Sequence, residues 1–376
     1  MNDNEKKSMR IALVMYVKDR FGGAERRMCR IYNSICEDSK YECDFIFRGC
    51  GYNEAITILR ESNCDFQNIN DIKCFGSNKA CLISIINSHH YDVIHYFDTS
   101  GFNLALQILS RFWGIPTVFS ICNALDAYGI SSKTTLQKLK LQANLSSVID
   151  LLYPSGLATF KASAFINKIR ITPGSFTDLS VFYPYKKRKL MVYAAARLNT
   201  RKNPGLLVDA INICQEAIRE HGYVISILGI GDEQANLENK INKYKLQDLV
   251  LLEGFKKSSD YFPYAKVAFS LQKKENYPSQ CVAEACASGC YLIVTDVGDS
   301  RKCASELFAC FVNDDASNLS QAIVEYLNKT EEEQSVIEFE ARKYAMANYS
   351  IEKSKSYYIE VLNNAKERHK NGIQTL

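Results

Sequence analysis

The sequence contains no CxxC pair, no Cys/His knuckle, no GxGxxG fingerprint and no low-complexity tract. Each absence removes a class. Fourteen cysteines without metal-finger spacing do not read as a zinc site. The tightest cluster is Cys281, Cys286 and Cys290; Cys29, Cys36, Cys43 and Cys50 recur at a seven-residue interval that outruns its helix. These thiols are read as small buried hydrophobes of a reducing compartment. Without GxGxxG, nicotinamide and flavin sites are disfavoured. The N-terminal MNDNEKKSMR is polar, so no signal peptide is read, and the apolar run Ile11–Val17 is too short to span a bilayer. A cytoplasmic location is expected. The net charge of +4 over 376 residues is too small to imply a nucleic-acid partner.

What is present is a repeated strand–helix alternation. At 47% hydrophobic and 23% charged residues the chain is an ordinary globular one, long enough for two cores. Ile11–Val17 reads as a first strand, Phe21-Gly22-Gly23-Ala24 as a turn, and Ala24, Met28, Ile31 and Ile35 as one face of a helix. Cys43–Phe47, Asp92–Tyr96, Thr117–Ile121, Val148–Tyr153 and Ile169–Thr172 read as further strands, with helices near Phe102–Phe112 and Ser131–Asn144. Tyr183–Lys189 joins a proline to four basic residues and reads as a linker. The alternation restarts at Leu190–Ala196. Asn203-Pro204 reads as the N-cap and first residue of a helix. Strands follow at Val224–Leu228, Leu249–Leu252, Val267–Leu271 and Tyr291–Thr295. The expected class is α/β: two doubly wound, Rossmann-like domains facing a cleft, residues 1–183 and 184–350, with 351–376 as a final helix.

Three loops carry candidate chemistry. Gly22-Gly23 sits where a strand becomes a helix, and glycines there admit close backbone approach to an anion; the same dipeptide also serves as a plain turn. Arg197 and Lys202 follow the first strand of the second domain, the end at which doubly wound sheets bind ligands. Together they could neutralise a diphosphate; the alternative is a solvated basic loop, to which Arg201 adds a charge. In Glu275-Asn-Tyr-Pro-Ser-Gln-Cys-Val-Ala-Glu284, a buried strand feeds a polar loop and then a helix from about Ser279, ending at Gly289. Ser279 can cap that helix, whose free N–H groups attract an anion. The carboxylates of Glu275 and Glu284 suit polyol hydroxyls.

Taken in order, Gly22-Gly23-Ala24-Glu25, Ala196-Arg197…Lys202-Asn203-Pro204, and Glu275…Glu284 with Ala285…Gly289 and Thr295-Asp296-Val297-Gly298 resemble the retaining GT-B glycosyltransferases of the fourth sequence family. Asp92-Val-Ile-His95, Pro173-Gly174-Ser175 and Leu228-Gly-Ile-Gly231 are weaker echoes, so the resemblance spans nearly the whole chain. It implies that Gly22 and Gly23 approach the donor diphosphate or acceptor, and that Arg197 and Lys202 clamp the diphosphate. It implies that Glu275 contacts the transferred sugar and Glu284 the ribose, with backbone around Tyr277, Pro278, Ser279 and Gln280 facing sugar and phosphate and Asn276 a further donor-binding candidate. It also implies that the last helix, near Ile351–Ala365, returns to the N-terminal domain.

Two departures stand out. The family's paired glutamates are usually separated by seven residues, whereas Glu275 and Glu284 are separated by eight. Either the loop is longer, or Asn276 takes the first glutamate's place. The histidine that many members carry after the strand Thr117–Ile121 is replaced by Ser120-Ile-Cys122-Asn123; His95 reads instead as a packed, hydrogen-bonded residue. In the front-face mechanism the resemblance implies, departing phosphate takes the acceptor proton, so no side-chain base is needed. No Asp-x-Asp metal motif is evident, so no metal or cofactor is expected. The expected partners are a nucleotide-sugar donor and a saccharide or lipid-linked acceptor, without nucleic acid. Ser131–Lys140 alternates Lys133, Lys138 and Lys140 with Leu136, Leu139 and Leu141; it is either an ordinary amphipathic surface helix or a peripheral contact with the inner membrane face. A sugar-nucleotide epimerase and a non-catalytic subunit supporting a partner transferase are the rival readings.

Overall fold

The computed structural model describes residues 8–17, 23–62, 64–88, 90–97, 101–122, 133–160 and 165–373. The chain divides into two compact units, Met1–Pro173 with Ile351–Leu376, and Gly174–Ser350.

The first unit is built on seven parallel strands: β1 Met9–Tyr16, β2 Tyr41–Arg48, β3 Asp71–Phe75, β4 Val93–Phe97, β5 Thr117–Ile121, β6 Val148–Leu151 and β7 Ile169–Ile171. Their spatial order is β3-β2-β1-β4-β5-β6-β7. The continuous apolar runs of β1 and β4 are buried on both faces, as a helix-covered parallel sheet requires. The helices are α1 Gly23–Ile35, α2 Tyr52–Glu61, α3 Asn78–Ser88, α4 Gly101–Phe112, α5 Lys133–Leu145 and the short α6 Leu157–Phe160. Ala12, Ile94, Tyr96, Leu106, Phe119 and Leu139 meet in one core.

The second unit repeats the plan with β8 Arg188–Arg197, β9 Val224–Ile230, β10 Val250–Gly254, β11 Ala265–Ser270, β12 Tyr291–Thr295 and β13 Ala309–Val312, ordered β10-β9-β8-β11-β12-β13. Helices α7 Pro204–Glu220, α8 Gln234–Tyr244, α9 Gln280–Ala287, α10 Ala316–Leu327 and α11 Glu331–Asn348 cover it. The next helix, α12 Ile351–Ile373, packs back into the first unit through Tyr358, Val361, Leu362 and Ala365.

The division falls at Pro173/Gly174, ten residues before the expected boundary at 183/184. The reason is local bonding. Thr177 N–H donates to the Tyr349 carbonyl, and Arg342 donates to the carbonyls of Leu179 and Phe182. The basic segment expected to be a linker is likewise tied in. Lys187 Nζ donates to the carbonyls of Ala265 and Ser288, both at 2.5 Å.

A buried polar network fastens α12 to the first sheet. Asp150 on β6, 1% exposed, accepts from Ser120 Oγ at 2.5 Å, Thr172 Oγ1 at 2.7 Å, Tyr357 Oη at 2.6 Å and Tyr358 Oη at 2.9 Å. Ser120 and Asp150 are in register on neighbouring strands. His95 extends the chain, with Nε2 2.7 Å from Ser120 Oγ and Nδ1 2.6 Å from Tyr32 Oη. Burial drives the His95 pKa down to about 4, so the ring is neutral at physiological pH. The cysteines are free thiols, and Cys29, Cys43, Cys50, Cys64, Cys81, Cys214, Cys286, Cys290 and Cys303 are buried.

Candidate active site

In the second sheet the strand order reverses between β8 and β11. The carboxyl ends of the two adjacent strands at such a reversal are where doubly wound sheets bind ligands. The loop at the end of β8 holds Arg197, Arg201 and Lys202; the loop after β11, residues 271–279, leads into α9.

The β8 loop is rigidly held. Lys202 N–H donates to the Asn199 carbonyl at 2.9 Å, and Tyr193 Oη donates to the Lys202 carbonyl at 2.6 Å. Lys273 N–H donates to the Arg201 carbonyl, joining the two loops. The glycines of Leu228-Gly-Ile-Gly231 let the end of β9 pass beneath. A Cβ on Gly229 would lie 2.0 Å from the Ala195 carbonyl oxygen, and one on Gly231 2.2 Å from that of Leu198. Asn203 stands at the N-cap position of α7, but not as the expected cap. Its backbone is left-handed (φ 58°), no side-chain cap bond forms, and Nδ2 donates instead to Asp314 Oδ1 at 2.6 Å.

Lys202 is the telling residue. It is half-buried and its Nζ donates to Gln272 Oε1 at 3.1 Å. Among the described residues it has no carboxylate partner. Burial, reinforced by the Arg201 charge, pulls its pKa down to about 8. A cation left partly desolvated and unpaired is costly to the fold and poised for an anion. Arg197, at the end of β8, is exposed and also has no ion-pair partner among the described residues.

Gln272 relays this position to the second loop. Its Nε2 donates to Asn276 Oδ1 at 2.7 Å, and its carbonyl accepts from Thr295 Oγ1 at 2.7 Å. Asn276, 1% exposed, also accepts from Ser270 Oγ and donates to the Ser270 carbonyl, both at 2.9 Å. Its side chain is spent on bonds inside the loop.

Glu275 is likewise internal, at 3% exposure. Its Oε1 accepts the backbone N–H groups of Asn276 and Tyr277, each at 2.9 Å, and of Asp299 at 3.1 Å. Burial raises its pKa while these three N–H groups pull it down. Gly298, the glycine of Thr295-Asp-Val-Gly298, makes room for it. At φ +56° a Cβ there would stand 2.3 Å from Glu275 Oε2. Glu275 thus locks the loop, a role different from the sugar contact that the resemblance implies.

The loop reaches α9 through Tyr277, buried against Gly174, and Pro278. Ser279 caps α9, accepting from Val282 N–H at 3.3 Å. The N–H groups of Gln280 and Cys281 open the helix without intrahelical acceptors, a positive end for an anion. Gln280 donates to the Phe176 carbonyl at 3.2 Å and to Glu284 Oε1 at 3.0 Å; Glu284 Oε2 accepts from Ser258 Oγ at 2.7 Å. Glu284 remains partly exposed. Gly23 opens α1 in the first unit and is exposed, with nothing within 4 Å of where a Cβ would stand. Gly22 lies outside the described residues. Among those residues no three His, Cys, Asp or Glu side chains form a set that could hold a metal ion.

Arg197, Lys202, Glu275, Asn276, Tyr277, Pro278, Ser279, Gln280 and Glu284 therefore all belong to one unit. The switch point of its sheet brings the β8 and β11 loops together. Gln272, which joins them, is not legible in the sequence. No local pattern marks it, because its role depends on two loops meeting.

The chain is similar to several known proteins. Residues 177–344 match the family described as glycosyl transferases group 1. Amylovoran biosynthesis glycosyltransferase AmsD of Erwinia amylovora is 28% identical over 125 residues, covering 30% of this chain and 34% of that protein. The chain thus matches only about a third of that curated relative's length. HepE of Anabaena, solved with UDP and glucose, superposes with a TM-score of 0.73 at 15% identity, over 94% of this chain and 99% of that one. A glycosyltransferase from Rickettsia africae gives 0.72 at 14% identity, over 95% and 98%. Sucrose-phosphate synthase of Thermosynechococcus elongatus gives 0.67 at 16%, over 98% and 100%. The fold is GT-B: two Rossmann-like units with parallel sheets.

Proposed function

We propose that this chain transfers a sugar, with retention at its anomeric carbon, from a nucleotide diphosphate sugar to a hydroxyl acceptor. We place it in surface polysaccharide or glycolipid assembly. The observation that carries the reading is Lys202, a half-buried cation without a carboxylate, set at the switch point beside Arg197 and Arg201 and opposite the start of α9.

In this reading the bond from the anomeric carbon to the diphosphate oxygen breaks, and its electron pair leaves with the diphosphate. Lys202, Arg197 and the N–H groups opening α9 stabilise that growing charge. The acceptor oxygen bonds the same face of the carbon, and its proton passes to the departing phosphate. Glu275 and Asn276 hold the loop that orients these groups; the partly exposed Glu284 takes the ribose hydroxyls. HepE, solved with UDP, and AmsD, named for amylovoran biosynthesis, support the donor class and the setting.

The test is a thermal-shift screen of nucleotide diphosphate sugars, followed by donor hydrolysis or transfer with the stabilising compound. Stabilisation with turnover supports the proposal. Stabilisation without turnover, even with an acceptor, favours the non-catalytic subunit. Stereochemical inversion in the product overturns the retaining assignment.

A further inference from the structure

The first unit carries an apolar and basic surface that the proposed reaction does not use. At the end of α4, Phe112 is 80% exposed and Trp113 is 44% exposed. Their rings meet edge to face, with centroids 5.5 Å apart. Ile108, one turn back on the same helix face, is also exposed. Single exposed apolar residues are ordinary, but a contiguous aromatic group at a helix end is a contact surface.

Its neighbours are cationic. Gln107 Nε2 donates to the Gln142 carbonyl and to Ser146 Oγ, each at 2.7 Å, which seats the end of α5 against α4. That end presents Lys138, Lys140 and Leu141 to solvent, while Leu139 turns into the core. Lys168 bonds the carbonyls of Asn144 and Ser146 at 2.9 and 3.1 Å. Burial lowers the Lys168 pKa, with the charges of Arg111 and Arg368 adding to the effect, so these cations share one neighbourhood. Neither α4 nor α5 contains an acidic residue. From Thr99 to Thr177 the only acids are Asp126 and Asp150, and Asp150 is buried in the network that holds α12.

We infer that this face docks on an anionic lipid surface, with Phe112 and Trp113 entering the headgroup region and the exposed Arg111, Lys138 and Lys140 meeting lipid phosphates. Charge of one sign selects this occupant. Protein interfaces are depleted in lysine, whereas aromatic rings flanked by lysine and arginine suit an interface that is apolar below and anionic above. The contact centres on the end of α4; on α5, Lys138 and Lys140 join it, and the remainder of that helix serves the core.

Trp113 is the only tryptophan in the chain, so its fluorescence reports this surface alone. The purified chain is mixed with phosphatidylglycerol-containing vesicles and with pure phosphatidylcholine vesicles at low salt. Trp113 emission is expected to shift to the blue and to be quenched by bromine-labelled lipid acyl chains with the anionic vesicles only. The Phe112→Ser variant is expected to reduce flotation with those vesicles. Lys140→Glu, on the exposed side of α5, is expected to weaken it about fivefold or more, an effect that salt diminishes. These side chains are exposed, so unchanged circular dichroism and melting keep the comparison valid. Absence of flotation and of a blue shift with anionic vesicles overturns the inference. A blue shift produced by raising protein concentration without lipid overturns it in favour of contact between copies of the chain.

Discussion

Replacing Lys202 with methionine separates what this residue does for the fold from what it does for a ligand. The ordinary lysine pKa of 10.5 is pulled down to about 8. Each tenfold change in proton affinity is about 1.4 kcal/mol, so keeping the amine charged in the folded state costs on the order of 3 kcal/mol at pH 7. Methionine removes that cost but leaves Gln272 Oε1 without its donor, a loss of about 1 kcal/mol. The desolvation relief is the larger effect, and because the residue is only half-buried the net gain is about 1–2 kcal/mol. For a unit the size of Gly174–Ser350 this raises Tm by about 2–8 °C. The sign has a pH signature. Between the folded pKa of about 8 and the ordinary 10.5, the unfolded chain binds more protons than the folded one. Wild-type stability therefore rises through that window, and the advantage of Lys202→Met closes. With the Lys202 cation gone and Arg197 left to meet the diphosphate, the variant should also show weaker stabilisation by nucleotide diphosphate sugars and turnover lowered by about 10²–10³. Calorimetric scans at pH 7 and pH 10, with and without donor, read all of this. A variant that melts lower at pH 7 and still binds donor like wild type refutes the reasoning.

Arg197→Ala should leave Tm unchanged, because the residue is exposed, while lowering turnover about a hundredfold in the same assay. Gly298→Ala should lower Tm by several degrees and weaken donor binding, since its Cβ collides with the Glu275 carboxylate at a left-handed backbone position. Asp150→Asn replaces a carboxylate that accepts four hydrogen bonds; it should cost about 2–4 kcal/mol in denaturant unfolding and speed amide hydrogen exchange in α12. Activity should survive a chelator, and loss reversed by a divalent cation would contradict the metal-free reaction.

The strands buried on both faces are legible because runs such as Ile11–Val17 and Tyr291–Thr295 leave no polar alternative. Asp71–Phe75 escapes that reading because it is an edge strand, half-exposed, with the sequence Asp-Ile-Lys-Cys-Phe and no apolar run. The helices Tyr52–Glu61 and Asn78–Ser88 that flank it escape with it; the second, Asn-Lys-Ala-Cys-Leu-Ile-Ser-Ile-Ile-Asn-Ser, has isoleucines scattered without a clear polar face. At the candidate site, the Ser279 cap can be read locally, since it acts on backbone nearby; the fit of Gly298 against the distant Glu275 carboxylate cannot. The left-handed Asn203, the relay through Gln272 and the burial of Glu275 and Asn276 cannot. Each depends on contacts between segments distant in sequence, such as Asn203 with Asp314 and Lys202 with Gln272. Sequence pattern places cations and carboxylates in the right loops but does not say which of them face a ligand and which hold the loop.

Everything proposed for the reaction depends on Lys202 and the two loops around it binding the diphosphate of a sugar donor. The decisive experiment is calorimetric titration with UDP, GDP and other nucleoside diphosphates at pH 8, in buffers of differing ionisation enthalpy. Near pH 8 Lys202 is about half protonated, so a bound diphosphate should restore the missing charge. Saturable binding by at least one nucleoside diphosphate is expected, with net proton uptake that disappears in Lys202→Met. Binding without proton uptake, or uptake that persists in that variant, would contradict it.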